Sequence, residues 1–425
     1  MSPRTQTIGY DGVMLSPSNH RESWQLLRSC WSVSQLVLLL TTIKLWFPQS
    51  VFPQVPLSDL GLLCPAWTQT IAALALFVSL IVTLPVRRFK RYQIAGMLTY
   101  IVSMAFLFLT DQHRLQPWAY QFFLMGIVLV TCESARAIEL IRLLVISIYV
   151  YSAISKMDYQ FYHTTGLDLI GTILGFIGLD INNFVDPMKT YLISVLPATE
   201  FIAAGLLCFS RTRKTGILVA SLMHFGLFVV LGPLGLGHMP GVLMWNLAFI
   251  VLLISLFAVE VPLRRRAKSG DAQVSMIGTI AVMIAVALPV AESLGRCDHW
   301  LAWGLYSPRN SRVVFEVHDR YLVNLPAEIT ISKTSNDGGF TTLNLDTWSL
   351  SQLWAPNYPQ ARFQLGVARY LVEKYELQGG FRMYVLGMSN RMNGSRDSIQ
   401  IATLDRLKNV ANRYSVNSKP RMESP

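Results

Sequence analysis

The segment YSAISKMDYQFYHTTG, Tyr151 to Gly166, gathers the residues of this chain best suited to chemistry. Some twenty apolar positions lead up to Lys156. A Lys-Met-Asp step, three aromatics, His163 and Gly166 follow it. Two readings of the lysine are open. It can anchor a helix end at a membrane surface, with its stem in lipid and its charge in water. It can also be a base, because an amine that loses hydration at the membrane boundary has its pKa lowered and its free form becomes accessible near neutral pH. An anchor needs no polar neighbours, yet Tyr149, Ser152, Asp158 and His163 cluster around Lys156. Arg142, Tyr149 and Lys156 recur at seven-residue intervals. Seven residues drift by only about 20° on a helix, so the three share one stripe, with Lys156 about 21 Å beyond Arg142.

Further polar residues stand inside apolar runs, where lipid makes them costly. LPATEFIAAGLL holds Glu200. SLMHFGLFVVLGPLGLGHMPGVLMWN holds His224, then His238 in a turn, then Asn246. Each alone reads as a hydrogen bond between helices. In successive helices they suggest a shared pocket, which Lys156 is expected to face. Lys156 and His224 are the candidate catalytic groups. Tyr149, Arg142, Asp158, His163, Glu200, His238 and Asn246 are the candidate lining.

The elements that must position them are membrane helices. The chain is 52% hydrophobic and 14% charged, with a mean hydropathy of +0.39, outside the soluble globular range. About nine apolar runs are each long enough to cross ~30 Å of hydrocarbon as helix: 31–48, 68–85, 94–111, 116–133, 137–156, 190–209, 215–233, 239–260 and 273–294. They are continuous rather than alternating, so the class is a helical bundle, not a barrel. The first thirty residues are polar with no small-residue cleavage site after the first run, so that run reads as a retained signal-anchor.

Charge orients the bundle. Arg4, Arg21, Arg28, Arg87, Arg88, Lys90, Arg91, Arg136, Arg211, Arg213, Lys214, Arg264, Arg265, Arg266 and Lys268 fall on one side. Arg114, Lys156 and Lys189 fall on the other. The positive-inside rule then makes the N-terminus cytoplasmic and the C-terminal part external. The net charge of +11 is therefore mostly topological. No basic cluster interleaved with aromatics points to nucleic acid. The expected organisation is a cytoplasmic segment 1–29, a transmembrane domain 30–295, a small external α+β domain 296–415 and a disordered tail 416–425. In the external part, SRVVFEV and FRMYVLGM read as strands. PQARFQLGVARYLVEKYEL reads as an amphipathic helix with Phe363, Val367, Leu371 and Tyr375 on one face, and 402–414 as a last helix. Internal repeats, phosphate-binding glycine loops, CxxC and HExxH are absent from the sequence. Cys30, Cys132 and Cys208 fall near the cytoplasmic face. Cys64 and Cys297 both fall outside, where they can pair as a disulfide or stay as two thiols.

At these residues the chain resembles a known family. IRLLVISIYVYSAISKMDYQFYHTTG is similar to the lysine helix of the vitamin K-dependent γ-carboxylases and their bacterial relatives of the horizontally transferred transmembrane (HTTM) domain. The later acidic residue, the R-T-R-x-x-G turn and the histidine of LMHFGLF follow in the same order. The resemblance covers roughly residues 20–300. It implies nine spans, an external C-terminal domain and a Cys64–Cys297 bridge. It also implies a lipid quinol (reduced vitamin K or similar) as cofactor, a protein substrate, and Lys156 as the base that deprotonates the quinol to drive carboxylation of glutamate. LPATEFIAAGLL and the S-x-x-K step are similar too to the DoxX and MauE membrane proteins, which implies a quinone- or thiol-linked redox accessory without carboxylase activity. A purely structural membrane protein is the third reading. The expected setting is a lipid bilayer, as a multi-pass protein of a bacterial cell membrane.

Overall fold

The computed structural model describes residues 17–84, 91–258, 269–330, 333–336 and 338–422. The basic residues Arg4, Arg87, Arg88, Lys90, Arg264, Arg265, Arg266 and Lys268 lie outside the described residues.

The apolar runs fold as helices because helix satisfies every backbone group within its own segment. They are α1 (Pro17–Thr41), α2 (Ala66–Thr83), α3 (Gln93–Thr110), α4 (Pro117–Thr131) and α5 (Ser134–Lys156). After α5 come two short helices, α6 (Tyr159–His163) and α7 (Thr165–Gly175). The long ones resume as α8 (Asp186–Cys208), α9 (Arg213–Leu231), α10 (Pro240–Phe257) and α11 (Ser269–Ala287), the last running on as a 3-10 segment to Leu294. Among the described residues, seven helices are long and apolar enough to cross a membrane: α2, α3, α5, α8, α9, α10 and the run Ser275–Leu294. α4 is apolar but only 15 residues long. This is a multi-pass helical membrane protein. α2 packs on α3, α9 on α10, α1 on α10, α4 on α11, and α8 lies against both α5 and α9.

α6 and α7 were not legible as elements. Asp158 starts them: its carboxylate accepts from the backbone N–H of Gln160 (2.9 Å) and Phe161 (3.4 Å), capping α6. Phe161, Leu169, Ile170 and Leu174 then bury against Ile193 of α8 and Val230 of α9, in a cluster separate from the main core.

The C-terminal region is a five-stranded antiparallel sheet of order β2-β3-β1-β4-β5, made of β1 (Arg312–His318), β2 (Lys333–Asn336), β3 (Phe340–Leu343), β4 (Phe381–Leu386) and β5 (Ser398–Ile401). Phe315 of β1 stands opposite Leu343 on one side and Met383 on the other. Phe381, Met383 and Val385 alternate inward along β4. Helices α12 (Leu345–Leu353), α13 (Ala361–Lys374) and α14 (Leu404–Ala411) complete the domain. Phe363, Val367 and Leu371 are buried on α13 as the spacing predicts, while Tyr375 falls just past its end.

This domain sits directly on the membrane helices' loops. Trp348, Phe52, His113 and Phe363 form an aromatic run with ring centroids 4.5 to 5.3 Å apart, joining the domain to two loops of the bundle. Arg362 of α13 pairs with Asp298 and donates to Gln112 Oε1 at 2.9 Å. The segment expected to be disordered, 416–425, is instead ordered as far as Met422, and 423–425 lie outside the described residues. Arg421 donates to the carbonyls of Gln54 and Gly61, and the Asn417 amide donates to Pro56 O. A loop edge rich in carbonyls gives this polar tail the partners that its own composition lacks.

Candidate functional site

α5 delivers the stripe seen in the sequence, and each member meets a different helix. Arg142 donates to Leu256 O at 2.8 and 3.0 Å, at the C-terminal end of α10. That is a helix-end contact away from the other two. Tyr149 meets His224 of α9. Lys156 meets Glu200 of α8.

Lys156 is buried, with 5% of its surface exposed, and Glu200 is at 8%. The Lys156 amine donates to Glu200 Oε1 at 2.9 Å, to Oε2 at 3.0 Å and to Ser152 Oγ at 2.6 Å. Ser152 in turn donates to Glu200 Oε1 at 2.9 Å. A headgroup anchor would stand in solvent; this lysine is enclosed and paired.

The second polar chain fixes a tautomer. The Asn246 amide nitrogen is engaged by Val242 O at 2.9 Å, so its oxygen faces His224 Nδ1, 2.8 Å away. An amide oxygen only accepts, so Nδ1 carries the proton and Nε2 is left to accept. Tyr149 Oη, 2.7 Å from Nε2, is therefore the donor. Tyrosine, histidine and asparagine form one directional chain across α5, α9 and α10.

Both chains line a cavity of about 60 Å³. Its walls are otherwise apolar, with Leu169, Leu196, Met223, Leu227 and Phe249. Leu196, Met223 and Leu227 are only half-buried, so this lipid-side wall is one residue thick. Toward the sheet domain the cavity is lined by Leu305 and Tyr306. The same two residues line a second cleft of about 890 Å³ between the helix ends and the sheet domain.

The remaining candidates lie elsewhere. Asp158 caps α6 and stands 4.0 Å from Arg309 rather than beside Lys156, with burial raising its carboxyl above the ordinary value. His163 is exposed and stacks on Tyr159 at 3.8 Å. His238 is exposed in the second cleft. The Cys64–Cys297 bridge is corrected: both thiols are free. Each sulfur contacts a carbonyl of its own segment, Leu60 for Cys64 and Asp298 for Cys297, and burial pushes the Cys297 thiol up to about 12. Sequence reasoning missed Tyr306, Trp245 and Phe249 as lining residues; Trp245 and Phe249 flank Asn246 on α10 and were readable from their spacing.

Among the described residues no group of three or more His, Cys, Asp or Glu could hold a metal ion. No family model, curated protein or solved structure matches this chain.

Proposed function

We propose that this chain is a nine-span membrane protein of the quinol-using, γ-carboxylase-like class, with a cytoplasmic N-terminus and an external sheet domain. In this reading the Lys156–Glu200 pair takes the proton of a lipid-soluble quinol. The observation that carries it is an amine, a carboxylate and a hydroxyl within 3.0 Å of one another inside otherwise apolar helices, bordering a cavity. A bound quinol supplies the phenolic proton and the reducing equivalents. A proton passed from Lys156 Nζ to Glu200 Oε1 leaves a neutral amine beside a neutral acid, so the pair presents a free base without changing the net charge of the site. Ser152 holds the carboxylate in place during that exchange. The Tyr149–His224–Asn246 chain places a second hydroxyl oxygen on the same cavity, its proton held toward His224.

The residues fit a quinol headgroup in kind: polar groups converge from two sides of an apolar slot. They do not fit it in size, since ~150 Å³ is what admits a benzene ring. Entry therefore requires Leu196, Met223 and Leu227 to give way toward lipid. Met223 is suited to that, being unbranched and flexible.

Support for nine crossings comes from the helix ends. Gln116, before α4, donates to Pro356 O of the sheet domain, and Tyr159, after α5, donates its N–H to Arg391 O. α4 and α5 therefore run away from the domain and back, short as α4 is. Lys44, just past α1, lies over the Trp354 ring at 4.3 Å, while Arg28 in the first half of α1 contacts Met97 in the first turns of α3. Labelling intact cells with a membrane-impermeant thiol reagent tests this topology. Cys64 should react and the exposed Cys208 should not; labelling of Cys208 would overturn it.

The functional test is mass spectrometry of the purified protein for co-purifying quinones, followed by oxygen consumption with reduced quinone. Lys156→Arg keeps the ion pair but stays protonated at any working pH, so it should lose turnover as Lys156→Met does. Retained activity in the arginine variant sinks the base role. The tight pairing of Lys156, which a free base does not need, favours a second reading: a quinone-linked redox accessory of the DoxX or MauE kind. Binding without Lys156-dependent turnover would select it.

A further inference from the structure

The segment that closes the cavity toward the sheet domain carries two non-glycine residues in the left-handed region, Trp303 (φ 59°) and Tyr306 (φ 60°). Bulky residues adopt that conformation only where the surroundings over-determine it, and such strain gathers at functional sites. Here the surroundings do. Trp303 is fully buried and stacks on Tyr120 at 5.1 Å. The His299 ring meets Ser307 O at 2.9 Å, and a side chain at Gly304 would lie 2.4 Å from that ring. The turn is thus pinned on both sides of Tyr306. What it holds in place is a phenol whose hydroxyl is buried yet makes no hydrogen bond of proper geometry, with the Asn246 amide as its polar neighbour. A buried hydroxyl without a partner is an unmet demand, and each instance calls for a reason.

We infer that Tyr306 is a ligand-contacting residue of the Lys156 cavity, its hydroxyl donating a hydrogen bond to an oxygen of a quinone-type ligand held there. This rests on the quinol reading and adds to it a second group that meets the ligand. Three features assign the role. Tyr306 lines the cavity; its hydroxyl is met only by the Asn246 amide, which leaves its proton without an acceptor; and burial, then the Glu200 carboxylate, holds the phenol above its ordinary pKa, so it stays a donor. Tyr149 is not an alternative donor in this state, because its proton is committed to His224. The Tyr306 ring also stands between the cavity and the second cleft, with the His238 ring 6.4 Å away on the cleft side.

The test uses the full-length protein in lipid nanodiscs with 2-methyl-1,4-naphthoquinone as probe, comparing wild type, Tyr306→Phe and Lys156→Met. Tyr306→Phe keeps the ring and removes only the hydroxyl. It should weaken equilibrium binding roughly three- to tenfold, the range for one hydrogen bond, with thermal unfolding unchanged. The infrared stretch of a hydrogen-bonded quinone carbonyl, read with isotope-labelled probe, should move to higher frequency in Tyr306→Phe. A packing role would not move that band. Wild-type affinity and an unshifted band in Tyr306→Phe, with binding still dependent on Lys156, would overturn this inference alone. Absence of probe binding to the wild type would overturn the quinol reading and this inference with it.

Discussion

At the scale of single residues, the paired charges of Lys156 and Glu200 decide most. Both are almost fully buried, and together they carry no net charge. Removing one partner strands the other in a low-dielectric interior, which costs about 3–5 kcal/mol, whereas replacing both by apolar residues of similar volume is often neutral. Lys156→Met and Glu200→Leu should each destabilise the purified protein markedly in thermal unfolding. The double variant Lys156→Met, Glu200→Leu should recover most of that loss and none of the turnover. A double variant as unstable as the sum of the singles would mean that the two groups do not act as a pair. The lysine and the glutamate were both legible in the sequence, because a charge inside an apolar run stands out against lipid. Their partnership was legible only as membership of one pocket. Tyr306 was not legible at all: 150 residues separate it from Lys156, and the left-handed turn that aims it leaves no periodic trace.

At the scale of elements, the short helices α6 and α7 bridge α5 to α8, and one glycine sets how closely they pack. A side chain at Gly166 would stand 2.6 Å from Ile193 Cγ2 and 2.7 Å from Phe161 O. The methyl could rotate away, but the backbone oxygen cannot. Gly166→Ala should therefore push α7 off α6, costing about 1–3 kcal/mol and raising amide exchange across 159–175. Gly175→Ala serves as the control, because nothing lies within 4 Å of its added carbon. That change should be neutral or mildly stabilising, through lost chain entropy of the unfolded state. Equal exchange in both variants would remove the close contact from the account. These elements escaped the sequence reading for a physical reason. Helices of five and eleven residues show too little of a 3.6-residue period to separate from an interfacial loop, and three of the strands have only four residues. The long spans, β1, β4 and α13 were readable because their periods run over several turns or pleats.

At the scale of the whole molecule, the sheet domain is held to the bundle around a buried loop whose two titrating groups oppose each other. Asp111 caps the turn by accepting from His113 N–H, and the His113 ring reaches across to Pro356 O at 2.8 Å and Ser349 Oγ at 3.2 Å in the sheet domain. Burial, only partly offset by Arg114, raises the Asp111 carboxyl to about 6. Burial lowers His113 to about 4, opposed by its bond to Pro356. As pH rises from about 4 to 6, the unfolded chain releases the Asp111 proton before the folded one, and stability falls. Across nearly the same interval the unfolded chain keeps a proton on His113 that the folded chain has lost, and stability rises. The two slopes have similar size, each on the order of 3 kcal/mol in total, so wild-type docking should vary little across that interval. Single substitutions should uncover each half. Asp111→Asn preserves the cap and leaves His113 alone, so stability should climb from pH 4 to 6.5. His113→Gln keeps a donor toward Pro356 and leaves Asp111 alone, so stability should drop between pH 4 and 6. Thermal unfolding of the detergent-solubilised full-length protein over pH 4–7, with limited proteolysis to report release of the sheet domain, reads both slopes. Parallel pH profiles in the two variants would show that this loop does not govern how the domain is held.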